Sequence, residues 1–204
     1  VRYVADAVVL AVPKFVARRI LRPYRDAPPP DLAAFRYGAW LVANLHLRDR
    51  PRSRGFPFAW DNVLFDSPSL GYVVASHQAL SDLGPTVWTY YRPFSELEPE
   101  AGRSLLAALD HRTAAEGIVA DLSRAHAGLE PLIERVDVYR WGHAMVLPVP
   151  GFVWGGARAR AEAPVGRVAF AHSDLSGIPL FEEAFDRGVT AAELAVELRV
   201  GARG

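Results

Sequence analysis

Asp174 lies between a short apolar run, Val168 to Ala171, and a stretch of helical character that opens after Ser176-Gly177 and Pro179. An ionised carboxylate only accepts hydrogen bonds, so a residue at the end of a strand in this position could hold the hydroxyls of a bound ligand. Pro179 suits a first helical position, where its missing N–H would have had no partner. Glu182 and Glu183 then fall in the first turn, where carboxylates favour the helix dipole. The amides near Leu180 and Phe181 have no acceptor within their own helix and form a ready anion site. The same residues also make good capping with no ligand at all, and residue types alone favour that plainer account.

Other candidates carry less. His143, between Gly142 and Ala144 after a strand pattern, could face a substrate or a cofactor and is a weak catalytic candidate. A lone histidine in such a place is more often packed and hydrogen-bonded. Ser76-His77 and Ser173 have no acid partner at a recognisable spacing, so a hydrolase triad is unsupported. The histidines show no H-x-x-x-H pair, and no metal site is expected. In Trp60-Asp61-Asn62 the Asp and Asn read as turn formers. Trp88 and Tyr90 share one strand face and Thr89 and Tyr91 the other. One of these faces could line an apolar substrate pocket, and an ordinary sheet core accounts for the pattern equally well.

The elements that would position these residues follow from periodicity. Val8 to Val12 reads as a strand buried on both faces, of the parallel-sheet kind, ended by Pro13. Leu21 to Asp31, with four prolines, reads as a linker that is neither helix nor central strand. Strand patterns follow at Ala39 to Leu47, Asn62 to Asp66, Gly71 to His77 and Thr86 to Tyr91. Leu97 to Leu109 and Thr113 to Ala125 have helical spacing of apolar residues. Asp137 to Trp141 is a further strand, Gly151 to Pro164 is loop-like, and Leu180 to Leu198 is a long helix. The expected fold is α+β: a mixed, mainly antiparallel sheet of about five to six strands with helices on one face. A terminal strand and helix of parallel-sheet character accompany it.

Composition narrows the partners. The 204 residues carry 23 basic and 23 acidic side chains, which counts against nucleic acid or an anionic membrane surface. With no cysteine, disulfides, zinc–thiolate sites and thiol nucleophiles are excluded. No apolar run reaches the roughly 18 residues of a membrane helix. Without a signal peptide, the cytoplasm is the expected location. The chain opens on Val1 and looks cut from something longer.

The order Phe170-Ala171, Asp174, Ser176-Gly177, Ala184, Gly188, Ala191-Ala192 resembles the C-terminal signature of flavin-containing amine oxidoreductases and their phytoene-desaturase-like relatives. Val8 to Pro13 is similar to the strand on which that family leaves its flavin domain. Trp141 to Met145 and Pro148 to Gly151 are similar to its return segment. The resemblance spans essentially the whole chain but only the C-terminal half of such a protein. It implies residues 1–22 as the exit strand of an FAD-binding domain, 23–150 as a substrate-binding domain, and 151–204 as the FAD-contacting strand and helix. It implies FAD as cofactor, hydride transfer from a small-molecule substrate to flavin, and a missing N-terminal FAD-binding half as partner. Asp174 would meet the ribityl chain or the pyrophosphate, and the backbone at Leu180 and Phe181 the pyrimidine edge. Two residues depart from the pattern. His172 stands where the family has glycine, and Tyr37 to Leu41 lacks the lysine many amine oxidases keep, with Lys14 out of place for it. The Gly-x-Gly-x-x-Gly turn is also absent. The competing expectation is a non-catalytic binding or interaction domain that keeps the scaffold without the cofactor.

Overall fold

The computed structural model describes residues 1–52, 59–75 and 83–200. The first elements are β1 (Val8–Leu10), α1 (Lys14–Ile20), α2 (Arg22–Asp26), β2 (Tyr37–Leu47), β3 (Asp61–Asn62), β4 (Gly71–Val74) and β5 (Thr86–Pro93). There follow α3 (Pro99–Ala108), α4 (His111–Ser123), β6 (Ile133–Val146), α5 (Gly156–Arg160), β7 (Val168–Phe170) and α6 (Phe181–Val200). They gather in two compact units, Gly38–Ala144 and the paired segments Val1–Tyr37 and Met145–Gly204.

The central unit is a five-stranded sheet in the order β3-β4-β5-β2-β6. β2 alternates buried Ala39, Leu41, Ala43, Leu45 and Leu47 with half-buried Trp40, Val42, Asn44 and His46, the period-two signature of a sheet with one core face. It runs antiparallel to β5, with Leu45 opposite Trp88 and Ala43 opposite Tyr90. α3 and α4 cover that face with Leu106 and with Ala114, Ile118 and Leu122, the latter three spaced one helical turn apart. Asp110 caps α4 by accepting from the Thr113 amide at 2.9 Å. The expected α+β fold, with a mainly antiparallel sheet and helices on one face, is the fold found. Trp88 and Tyr90 belong to its core.

Several expectations for this unit need correction. Asn62 to Asp66 is not a strand: pairing ends at Asn62, whose amide side chain closes a turn on Ala59, and Asp66 has φ 57°. That left-handed backbone is incompatible with a strand. Gly71 explains why β3 can meet β4 at all, because at φ +119° a Cβ would sit 1.9 Å from the Asn62 carbonyl oxygen. The strand expected over Gly71 to His77 is seen to Val74, and Ser76 and His77 lie outside the described residues. β6 is far longer than Asp137 to Trp141, so Gly142 and His143 lie inside it and not after it.

In the terminal unit β1 pairs parallel with β7, Val8 opposite Val168 and Leu10 opposite Phe170. Two segments from opposite ends of the chain therefore lie side by side. β1 is not buried on both faces: Val8 and Val9 are 45% and 42% exposed, because the strand has a single neighbour. The supposed linker Leu21 to Asp31 contains α2. Pro23 occupies one of its first two positions, where the lost N–H has no cost, and Pro30 plays the same part in a 3-10 turn over Pro30–Ala34. The loop expected over Gly151 to Pro164 contains the short helix α5, built from small residues and arginines. Tyr24 stacks on Phe170 at 5.9 Å, and Phe35 meets Phe152 edge-on at 5.0 Å. α6 approaches β7 closely because Ala169, Ala171 and Ala191 meet there. Its Phe181, Phe185, Val189 and Val196 are exposed. Among the described residues, no helix is long and apolar enough to cross a membrane, and no three metal-ligating side chains converge.

Candidate cofactor-contact site

Asp174 is the centre of the terminal unit. It sits in a 3-10 turn, Ser173–Leu175, between β7 and α6, and is 1% exposed. Pro13 offers no side chain to cap α1, so the first amides of that helix need an acceptor from elsewhere. Asp174 supplies it from across the chain: Oδ2 accepts the Lys14 amide at 2.8 Å and the Tyr37 hydroxyl at 2.5 Å. Burial, then the charge and hydrogen bond of Asp174, push the Tyr37 phenol above its ordinary range, so Tyr37 is a neutral donor.

Oδ1 of the same carboxylate is buried with no hydrogen-bond donor. His172 Nδ1 lies 3.1 Å from it and accepts the Asp174 backbone N–H at 3.2 Å. One nitrogen cannot accept from the amide and donate to the carboxylate at once.

Sequence reasoning passed over Lys14, although a lone lysine directly behind a proline was a signal. It is 2% exposed, with Nζ donating to the Ala161 carbonyl at 2.6 Å and lying 3.2 Å above the Phe170 ring. Burial lowers its ammonium to about 8, against the charges of Asp174 and Glu162, which hold it up. A depressed lysine means the unfolded chain binds more protons between about pH 8 and the unfolded value of 10.5, so the cost of burying Lys14 fades as pH rises through that window. The stability gap between wild type and K14M is therefore expected to change in favour of wild type by roughly 2 kcal/mol from pH 7 to pH 9.5 in urea titrations. A pH-independent gap would show that Lys14 is not held as an uncomfortable buried cation.

The other expected contacts are distributed as follows. Gly177 adopts φ +73° beside the Phe152 ring and the Arg158 side chain, and its N–H closes the turn onto Ser173 and Asp174 carbonyls. Leu180 and Phe181 are exposed, but the Leu180 amide is not free: it bonds the Ile178 carbonyl at 2.9 Å. The helix begins at Phe181, two residues after Pro179. Asp174, Gly177, Leu180 and Phe181 thus lie within one turn region of the terminal unit. His143 belongs to the central unit, exposed on β6.

The open face of the central sheet carries its own polar groups. Trp40 stacks on Tyr91 at 6.4 Å, and the Tyr91 hydroxyl donates to Asp61 at 2.6 Å. Burial, followed by the Asp61 bond and charge, pushes that phenol up to about 12. Thr89 donates to Asn44 beside it, and His46 meets Asp137 at 2.8 Å. Of the aromatic pairs read from the sequence, it is the Thr89–Tyr91 face and not the Trp88–Tyr90 face that is open.

No protein-family profile and no curated protein matches the chain. Solved structures do. Cyclohexylamine oxidase from Brevibacterium oxydans IH-35A superposes over 94% of this chain with a TM-score of 0.64 at 13% identity. Wild-type putrescine oxidase bound to putrescine does so over 93% with a TM-score of 0.58 at 16% identity. The chain spans 43% and 42% of those proteins' lengths. Identities this low speak for the fold alone, and on that ground the chain has the fold of the corresponding part of the flavin amine oxidases.

Proposed function

We propose that this chain is the substrate-binding and C-terminal cofactor-contacting portion of an FAD-dependent oxidoreductase of amine-oxidase type. The observation that carries the reading is the parallel pair β1–β7, three residues a strand, in a chain whose fold is that of under half of an amine oxidase. A parallel pair this short needs further strands and covering helices to be stable. An N-terminal FAD-binding half would supply them, and α6 presents Phe181, Phe185 and Val189 to such a partner.

The residues at the β7–α6 turn fit a hydroxyl-rich group. Asp174 Oδ1 is a buried acceptor without a donor, which a ribityl hydroxyl would satisfy, whereas a carboxylate repels pyrophosphate. Asp174 would hold the ribityl chain, Gly177 would let the backbone turn beside it, and the exposed Leu180 and Phe181 would cover the ring edge. When bound, FAD supplies the hydride acceptor for a substrate C–H bond. The chain's own part is to bind and orient, with the Trp40–Tyr91 face as the substrate surface, where neutral Tyr91 offers an apolar ring beside the Asp61 carboxylate.

The native protein is expected to have a mass well above the 22.4 kDa of this chain and an absorbance band between about 350 and 500 nm, where the hydride-carrying flavin absorbs. A native mass equal to this chain's with no band would end the oxidoreductase reading in favour of a binding module that keeps the scaffold.

A further inference from the structure

The balance of 23 basic and 23 acidic side chains conceals a polarised terminal unit. From Ala7 to Arg25 there is no acidic residue, while Lys14, Arg18, Arg19, Arg22 and Arg25 are basic. Lys14, Ala17 and Tyr24 are buried and fix which sides of α1 and α2 face inward. Arg18, Arg19, Arg22 and Arg25 are all left exposed, with Ile20 among them at 53%. Arg22 reaches Asp26 at 3.5 Å, a solvated pair of small worth. Among the described residues, Arg18, Arg19 and Arg25 have no ion pair. An arginine in the last turn of a helix favours its dipole, which accounts for Arg18, Arg19 and Arg25 one by one. It does not account for an exposed isoleucine in their midst or for the lack of any acid beside them.

We propose that the exposed side of α1 and α2 is a docking surface for an anionic lipid membrane. The proposal goes beyond the cofactor reading and does not depend on it. Four arginines within eight positions complement the negative potential of such a surface, and guanidinium groups pair well with phosphate. Ile20 then enters the boundary between headgroups and acyl chains while the arginines stay with the phosphates. Nucleic acid offers the same charge but no apolar layer for Ile20. The aromatic rings of these helices are also turned inward, Phe15 onto Tyr37 and Tyr24 onto Phe170, so no platform is left for stacking bases. An acidic protein would have to order arginines that no neighbour holds in place, a cost that fluid headgroups avoid. With seven and five residues, α1 and α2 lie on the surface and do not span it.

The test mixes the 204-residue chain with vesicles of phosphatidylcholine, with and without phosphatidylglycerol, and reads the bound fraction by sedimentation. Wild type is expected to sediment with the anionic vesicles in about 0.1 M salt and to be released in about 1 M, as the screening length falls from about 10 Å to about 3 Å. R18Q/R19Q/R22Q/R25Q should weaken the partition about a hundredfold or more, since each arginine near such a surface is worth roughly fivefold. R19Q/R22Q, which changes one arginine in each helix, should weaken it at least about tenfold and serves if the fourfold variant does not fold. I20S should weaken binding and leave its salt response intact. R112E/R199E removes as much positive charge as the fourfold variant from two exposed positions elsewhere, and should bind much as wild type does.

Equal binding to neutral vesicles would mean adsorption through apolar side chains such as those of α6, and overturns the proposal. So does the absence of binding to anionic vesicles, an unchanged partition in R19Q/R22Q, or an equal loss in R112E/R199E. Tighter binding to a duplex oligonucleotide than to the vesicles would give the surface to nucleic acid and overturns it as well.

Discussion

Replacing Asp174 by alanine is expected to destabilise the terminal unit by about 3–5 kcal/mol, the cost of breaking a buried charged network by removing one partner. Two donors lose their acceptor at once, the Lys14 amide at the start of α1 and the Tyr37 hydroxyl. The ammonium of Lys14 also loses the larger of the two charges that hold its proton, and its titration should fall further below 8. Hydrogen-exchange protection of the β1, β7 and α6 amides measures the effect within the unit. This is preferable to a single melting temperature because a chain of two compact units need not unfold in one step. D174A and K14M should be less than additive, since D174A is costly partly because it strands the lysine. A loss of under about 0.5 kcal/mol, the scale of an ordinary surface substitution, would show that the carboxylate does not organise the unit.

In the central unit the corresponding pin is Asp121 of α4, buried against the sheet. Its Oδ2 accepts from Ser67 at 2.6 Å and from Tyr90 at 3.0 Å, and its Oδ1 pairs with Arg124 at 3.2 Å. D121A leaves the hydroxyls of Ser67, Ser69 and Tyr90 and the Arg124 guanidinium without that partner and should cost about 2–4 kcal/mol, one to two buried hydrogen bonds to a charged group. D121N, which keeps the shape and one acceptor oxygen, should cost less. Tyr90 gives an independent readout. Burial pushes its phenol up to about 12, with the Asp121 charge and hydrogen bond adding to the rise. In D121A the alkaline titration of Tyr90 should therefore move down toward the ordinary tyrosine value. An unchanged Tyr90 titration would mean that the Tyr90–Asp121 hydrogen bond is not formed in solution.

Strand-forming residues bounded by turn formers over Ala39 to Leu47 and Thr86 to Tyr91, and 3.6-residue spacing over Thr113 to Ala125, were enough to recover β2, β5 and α4. These patterns record which side of an element meets the core, and the core of the central unit is built from them. Failure came where proline dominated local reasoning. The prolines of Leu21 to Asp31 argue against helix, yet at the start of a turn proline forbids nothing, and α2 and the Pro30–Ala34 turn begin there. The Asn62 to Asp66 strand failed because a left-handed residue and an amide-closed turn leave no trace in apolar periodicity.

By itself, then, the order of residues determined the fold class and the strand–turn–helix at Val168 to Leu198, and it put Asp174 forward as a ligand candidate in that turn. These follow from local propensity and from burial patterns, which act over a few residues. Tertiary structure alone decided that Asp174 caps α1, that Lys14 lies buried over Phe170, and that Oδ1 is left facing His172. Lys14, Tyr37, Ala161 and Asp174 are separated by up to 160 positions. No spacing rule links such residues, because they are brought together by the β1–β7 pairing and by the packing of helices around it.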